Sequence, residues 1–244
     1  MEFHSQLILG KIVKRYKRFL ADIILDQDHN NHKKGELITV HTPNTGSMKT
    51  CWEEGWPALI SFHDNPKRKL KYTLEMTHNG STWIGLHTGH PNKLTMNSIR
   101  DGLISELSGF DHLRPEVKIG KSRIDIMLYN GELKSPEKRC FVEVKNVTLL
   151  GKKNRALFPD AISERGQKHL QELIQIKKNG DDAAIFFVVQ REDVESFSPA
   201  GEIDPVYAKL LKECQKARVK ILAYQFSPGP KGIFLKKKLP VILD

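Results

Sequence analysis

Ser122-Arg123-Ile124-Asp125-Ile126-Met127-Leu128, then a polar loop, then Phe141-Val142-Glu143-Val144-Lys145, is the stretch that decides the fold. Each half alternates as a half-buried strand does. Ile124, Ile126 and Leu128 share one face and leave Arg123 and Asp125 on the other. Val142 and Val144 point one way, while Phe141, Glu143 and Lys145 point the opposite way. Asn130-Gly131 and Ser135-Pro136 are turn residues, so the spacing predicts a hairpin with a longish loop. With Asp125 opposite Glu143, the hairpin centre falls at Lys134, inside that loop, so register and loop agree.

That geometry gathers two carboxylates and a lysine on one face of a sheet. Adjacent carboxylates repel, and burying them is costly unless a cation sits between them. A hard divalent ion, Mg²⁺ or Mn²⁺, meets that need with oxygen ligands from Asp125 and Glu143, and the Val144 carbonyl can serve as a third. Lys145 then stands beside the metal, able to orient or deprotonate a water and to offset charge on a pentacovalent phosphate. The competing reading is a solvated hairpin face with a cross-strand salt bridge.

The flanking segments fit a mixed α/β sheet. Leu94 to Leu107 reads as a helix with Ile99, Leu103 and Leu107 on one face, stopped by Gly109. Glu106 can reach the same site as a further acidic ligand, or can be a solvated helix-end glutamate. Strands are expected over Arg114 to Ile119, Ala183 to Val189 and Val219 to Phe226, with helices over Ser163 to Lys178 and Pro205 to Ala217.

The order of these elements, with Asp125 and the Glu143-Val144-Lys145 triplet, resembles the restriction-endonuclease-like superfamily, whose signature is an Asp followed by (Asp/Glu)-x-Lys. More narrowly, the whole chain resembles the bacterial sugar fermentation stimulation protein family. The resemblance is carried by His41-Thr42-Pro43-Asn44-Thr45-Gly46-Ser47-Met48, Ser105-Glu106-Leu107-Ser108-Gly109 and Ser122-Arg123-Ile124-Asp125. It continues through Glu143-Val144-Lys145, Phe158-Pro159-Asp160-Ala161 and Glu164-Arg165-Gly166-Gln167-Lys168-His169-Leu170. The resemblance implies an N-terminal OB-like barrel over residues 1–90, a nuclease-like α/β domain over residues 91–244, and DNA binding. It also carries a traditional association with the regulation of sugar-utilisation genes.

Composition sets the bounds. At 244 residues the chain suits one large or two small domains. A hydrophobic content of 39% is enough for a packed core. The net charge of +10 points to a polyanionic partner, nucleic acid first, although excess lysine also aids solubility. The three cysteines, Cys51, Cys140 and Cys214, are widely spaced and form no Cys-x-x-Cys pair, which argues against a zinc finger and for a reduced, cytoplasmic setting. No apolar run approaches the length of a membrane span, and the N-terminus has no signal-peptide core.

Before about His90 the chain reads as short strands and turns, a set that a small barrel would close. Two basic clusters stand out there. Lys14, Arg15, Lys17 and Arg18 interleave with Tyr16 and Phe19, which suits phosphate contacts and stacking on one face. Lys67, Arg68, Lys69 and Lys71 follow a turn. Charged strand edges that block pairing are the structural alternative for both clusters, and the net charge together with the OB-like reading favours nucleic-acid contact. Asn44 and Thr45 lie in a turn and can bind a phosphate or serve the turn itself. The His29/His32 and His87/His90 pairs lack cysteine or carboxylate partners at zinc-like spacing and read as surface or turn residues.

Downstream, Arg165, Gln167, Lys168 and His169 open a helix that, in nuclease-like folds, borders the active cleft. Gln167 can steady the lysine or the attacking water, and Arg165 and Lys168 can hold neighbouring phosphates. Basic residues in a first helical turn oppose the dipole, which a nearby anion would reconcile. The expected activity is metal-dependent phosphodiester cleavage on DNA, by a chain that can act as a homodimer. The alternative is a noncatalytic DNA-binding regulator that keeps the nuclease fold.

Overall fold

The computed structural model describes residues 1–119 and 122–243, so Asp244, the last residue of the expected second domain, lies outside it. The first strands are Ile8–Tyr16 (β1), Leu20–Leu25 (β2), Leu37–His41 (β3), Pro57–Phe62 (β4), Tyr72–His78 (β5) and Trp83–Gly85 (β6). On β1, Ile8 and Ile12 are buried while Leu9 and Lys11 are exposed, the period-two pattern of a strand with one face on a core. The strands run in the order β3-β2-β1-β4-β5-β6, and a parallel pairing of His41 with Thr73 joins β3 to β5. Five strands therefore close into an OB-like barrel, which removes the sheet edges. Ile12, Ile23, Val40, Ile60 and Leu74 fill it. Each such fully buried side chain contributes about 1.5–3 kcal/mol.

The first helix, His90–Arg100 (α1), is shorter than the expected Leu94 to Leu107 segment at its C-terminal end and starts earlier. Pro91 suits its first turn, where no amide donor is needed. Gly102 at φ 70 ends it, with the Leu103 amide donating back to the Ser98 carbonyl. Ser105–Leu107 is only a short 3₁₀ turn.

The remaining elements are His112–Ile119 (β7), Ser122–Glu132 (β8), Ser135–Val147 (β9), Leu149–Leu150 (β10), Arg155–Phe158 (β11) and Glu164–Lys178 (α2). They continue with Asp182–Val189 (β12), Ser196–Pro199 (β13), Pro205–Lys216 (α3), Lys220–Gly229 (β14) and Gly232–Leu239 (β15). The large sheet has the order β15-β14-β12-β9-β8-β7, with β12 parallel to both β9 and β14. A small sheet β10-β11-β13 was not expected from the sequence, whereas the edge strand β15 carries Lys236-Lys237-Lys238, a run that reads as a solvated strand end. Strands of two to four residues carry too little periodicity to be read.

One face of the large sheet packs on α2 and α3 through Leu170, Leu173, Tyr207 and Leu211 against Ile185 and Phe187. The other face meets α1 and the barrel, with Leu94, Leu7, Leu59 and Met76 against Val142, Val144, Phe186 and Val188. The barrel is thus part of the sheet's own core. Ile126 and Leu128 lie under α1, whereas Ile124 joins the cluster under α2 and α3, so the expected shared face of the three is split. The split falls where β8 leaves β9: their ladder begins at Ile126↔Val142 and runs to a tip at Glu132↔Ser135, beside the expected centre at Lys134. Among the described residues, no helix is long and apolar enough to cross a membrane.

Candidate active site

Where β8 and β9 part, side chains replace the ladder. The Val144 amide donates to Asp125 Oδ2 at 2.8 Å, and Asn92 Nδ2, from α1, donates to Oδ1 at 2.9 Å. Asp125 is therefore clamped between its partner strand and a helix. Two residues along β9, Lys145 Nζ donates to Glu143 Oε1 at 2.6 Å. His169 of α2 adds Nδ1 to this group, close to Glu143 Oε1 and 3.2 Å from Lys145 Nζ. Arg165 Nε lies 3.5 Å from His169 Nε2. A guanidinium only donates, so Nε2 is the acceptor in this contact.

Asp125, Glu143, Val144 and Lys145 line one cleft of about 450 Å³, together with Asn92, Arg165 and His169. Its electrostatics are divided. Burial pushes the Asp125 carboxyl up and the Glu143 charge adds to that, outweighing the hydrogen bonds from Val144 and Asn92. Burial also pushes Glu143 up, but the hydrogen bond to His169 and the Lys145 charge bring it below its ordinary value. Neighbouring carboxylates pushed apart in this way are a mark of functional sites. Glu143 is 2% exposed, and its Oε2 atom is buried without a hydrogen-bond partner. An orphaned carboxylate oxygen beside a second carboxylate suits a divalent cation, so the donor set fits Mg²⁺ or Mn²⁺.

Two expected site residues lie elsewhere. Glu106 hydrogen-bonds Tyr224 at 2.7 Å and pairs with Lys238, on β14 and β15, two and three strands from β9. Burial raises its carboxyl, but those hydrogen bonds overcome it and hold the pKa at about 2, so Glu106 is an ion-pair residue of the sheet edge. Gln167 turns away from Lys145, and its Nε2 donates to Asp204 at 2.9 Å and 3.1 Å. His169, one helical turn after Arg165, stands where Gln167 was expected. Its only sequence signal is the i, i+4 spacing from Arg165, which places the two on one helix face. Asn92, the other missed residue, sits on a helix whose docking no local pattern reports.

The expected nucleic-acid residues divide into two groups. Arg15 donates to the carbonyls of Arg18, Asn44 and Gly46 at 2.6–3.0 Å, and Arg18 donates to that of Thr45 at 2.8–3.0 Å. Both arginines brace the Asn44–Gly46 turn, where Asn44 Oδ1 accepts the Gly46 amide at 2.9 Å. Arg68 donates to Thr73 at 2.7 Å. Tyr16 hydrogen-bonds Asp22 at 3.0 Å. Lys14 lies 3.4 Å from Asp22 with its side chain 61% exposed. Lys17, Lys67, Arg165 and Lys168 are exposed, and of these Arg165 lines the cleft.

The histidines depart further from expectation. His87 and His90 stack at 4.1 Å, and one donor atom from each lies within 4.8 Å of one from Glu75. Burial holds His87 down to about 4 against the pull of the Glu75 charge. The carboxylate partner that the sequence did not reveal comes from β5, twelve residues before His87 in the chain.

Comparison with known proteins agrees over nearly the whole length. Residues 89–232 match the family profile described as the sugar fermentation stimulation protein RE domain, and residues 13–86 match the SfsA N-terminal OB domain. A sugar fermentation stimulation protein homolog of Pelobacter propionicus is 48% identical over 238 residues, covering 97% of this chain and 98% of that protein. Its counterpart in Geobacter sulfurreducens is 46% identical over 237 residues, covering 97% and 96%. Among solved structures, Pyrococcus furiosus SfsA in complex with Ca²⁺ matches with a TM-score of 0.83 at 26% identity, covering 99% of this chain and 98% of that one.

Proposed function

We propose, from the premise that the chain belongs to the sugar fermentation stimulation protein family, that it binds DNA and cleaves phosphodiester bonds with a divalent cation. The observation that carries this reading is the buried, unpartnered Glu143 Oε2 beside Asp125, whose carboxyl is pushed up by burial and by that neighbouring charge. A structural pair would be relieved by a cation from the chain itself, as Lys145 relieves Oε1. Oε2 is left for a ligand. The Ca²⁺ in the complex of the Pyrococcus furiosus relative is an oxygen-seeking ion, which suits the same donor set.

Asp125, Glu143 and the Val144 carbonyl would hold Mg²⁺ or Mn²⁺. When bound, such an ion polarises the phosphate and makes a bound water easier to deprotonate. Lys145 Nζ stands at the rim of this set, where it orients the attacking water and offsets charge on the phosphorane-like transition state. His169 positions Lys145 and Glu143 by contacting both. Arg165, exposed at the cleft wall, is placed to hold a phosphate next to the scissile one.

The test is cleavage of supercoiled plasmid and of single-stranded DNA by wild type and Lys145→Ala, with Mg²⁺, Mn²⁺ or chelator. Metal-dependent nicking by wild type alone establishes the nuclease. Equal nicking by both assigns the cleavage to a contaminant. DNA binding without cleavage by either makes the chain a regulator on a nuclease scaffold.

A further inference from the structure

The turn that closes one wall of the cleft also carries a cluster that the phosphodiester chemistry does not use. Thr88 and Gly89 line the cleft, and the residues on either side of them, His87 and His90, turn toward the barrel. There Glu75, 3% exposed, lies with Oε2 2.8 Å from His90 Nε2. Its Oε1 accepts from Ser61 Oγ at 2.6 Å, and Ser61 Oγ is 2.9 Å from His63 Nε2. The carboxylate is thus oriented by a hydroxyl that is itself anchored, the outer arrangement that commonly fixes a metal ligand.

We propose that Glu75, His87 and His90 form a second metal site, selective for a transition ion of the Zn²⁺ class and separate from the oxygen-lined cleft. Two imidazoles and one carboxylate, with a fourth position open, are a donor set that zinc takes. Imidazole nitrogen favours such ions, whereas carboxylate and carbonyl oxygen favour Mg²⁺, Ca²⁺ and Mn²⁺. The chain therefore presents two donor sets of different hardness on opposite sides of one turn. His87 Nδ1 accepts the Gly89 amide at 3.0 Å, which holds the ring against the turn. The bland account is an ion pair that fastens the start of α1 to the barrel. That account needs Glu75 and His90, and gives the His87 ring a hydrogen bond within the turn and a stack on His90 but no bond to Glu75 among the described contacts.

The untagged full chain, stripped with chelator, is titrated with Zn²⁺ by calorimetry and with Co²⁺ by visible absorption. Wild type and Asp125→Asn should each take up one zinc ion, and His87→Ala should take up none. Ser61→Ala should bind about tenfold more weakly or worse. Stabilisation by Mn²⁺ should follow the opposite pattern, kept in His87→Ala and lost in Asp125→Asn. No uptake by wild type overturns the site, as does undiminished uptake by His87→Ala with a wild-type melting transition. Loss of zinc in Asp125→Asn also overturns it, because the ion then sits in the cleft. None of these readouts depends on DNA cleavage.

Discussion

At the scale of single residues, the cleft is a place where function works against stability. Asp125 is held near a like charge, with burial raising its carboxyl, so its ionised form at neutral pH makes the metal-free fold less stable. Asp125→Asn removes that charge and can keep both hydrogen bonds. Its oxygen accepts the Val144 amide, and the Asn92 amide turns over to offer an oxygen instead of a nitrogen. A gain of about 1 kcal/mol is expected, which for a chain of this size raises Tm by about 2–4 °C. Thermal melts with and without Mn²⁺ check it: the variant should start higher than wild type and gain nothing from metal. A lower metal-free Tm, or a retained metal gain, would show that Asp125 is structural. The carboxylate pair was legible because the hairpin's alternation fixes both its position and its register. Glu106 was misplaced for the opposite reason. It sits on a three-residue turn with no periodicity, and its neighbours Tyr224 and Lys238 are more than a hundred residues away in sequence.

At the scale of elements, the position of α2 decides whether His169 and Arg165 reach the cleft. Ser163 caps its start by accepting the Gly166 amide at 3.1 Å, and the cap is itself held by Asp204, the N-cap of α3. Asp204 accepts the Ser163 amide, the Tyr207 amide and Gln167 Nε2, each at 2.9 Å. One carboxylate, 1% exposed, thus joins the first turns of both helices. Asp204→Ala removes a cap and strands three donors, a loss of roughly 3 kcal/mol, or about 6–12 °C in Tm. Gln167→Ala should cost less and leave the Mn²⁺ gain in Tm unchanged, because its side chain faces Asp204. If Gln167→Ala instead abolishes the metal response, the glutamine belongs to the cleft after all. The helices themselves were legible from apolar stripes: of Leu170, Leu173 and Ile174 in α2, the first two are buried and Ile174 packs at the edge of the core. Their junction was not, because a carboxylate that caps one helix and clamps another leaves no mark on either helix's own pattern.

At the scale of the molecule, the barrel and the α/β domain are locked together. Asp160 accepts the Ser47 amide and hydroxyl at 2.7 Å and 3.0 Å, and a Cβ on Gly46 would lie 2.5 Å from the same oxygen. Arg191, fully buried, bridges the carbonyls of Thr50 and Thr148 at 3.1 Å and 2.7 Å. With the proposed DNA binding, the net charge of +10 predicts a steep salt dependence. Each phosphate neutralised releases counterions, so log K should fall linearly with log salt, at about −0.9 per contact on duplex and about −0.7 on single strands. The cations that contribute must be free to meet phosphate. Arg15 and Arg18 are committed to the Asn44–Gly46 turn and Arg68 to Thr73, whereas Lys17 and Lys67 are exposed. Lys17→Ala and Lys67→Ala should therefore each flatten the salt slope by about 1 while leaving Tm unchanged. Arg15→Ala should lower Tm, because it leaves the Asn44 and Gly46 carbonyls without a donor. Titrations of duplex and single-stranded DNA across a salt series, with a melt for each variant, separate the two kinds of basic residue. A wild-type affinity indifferent to salt would remove the polyanion from the argument. A slope unaltered in both lysine variants would move the contact surface off the barrel and onto the cleft wall at Arg165.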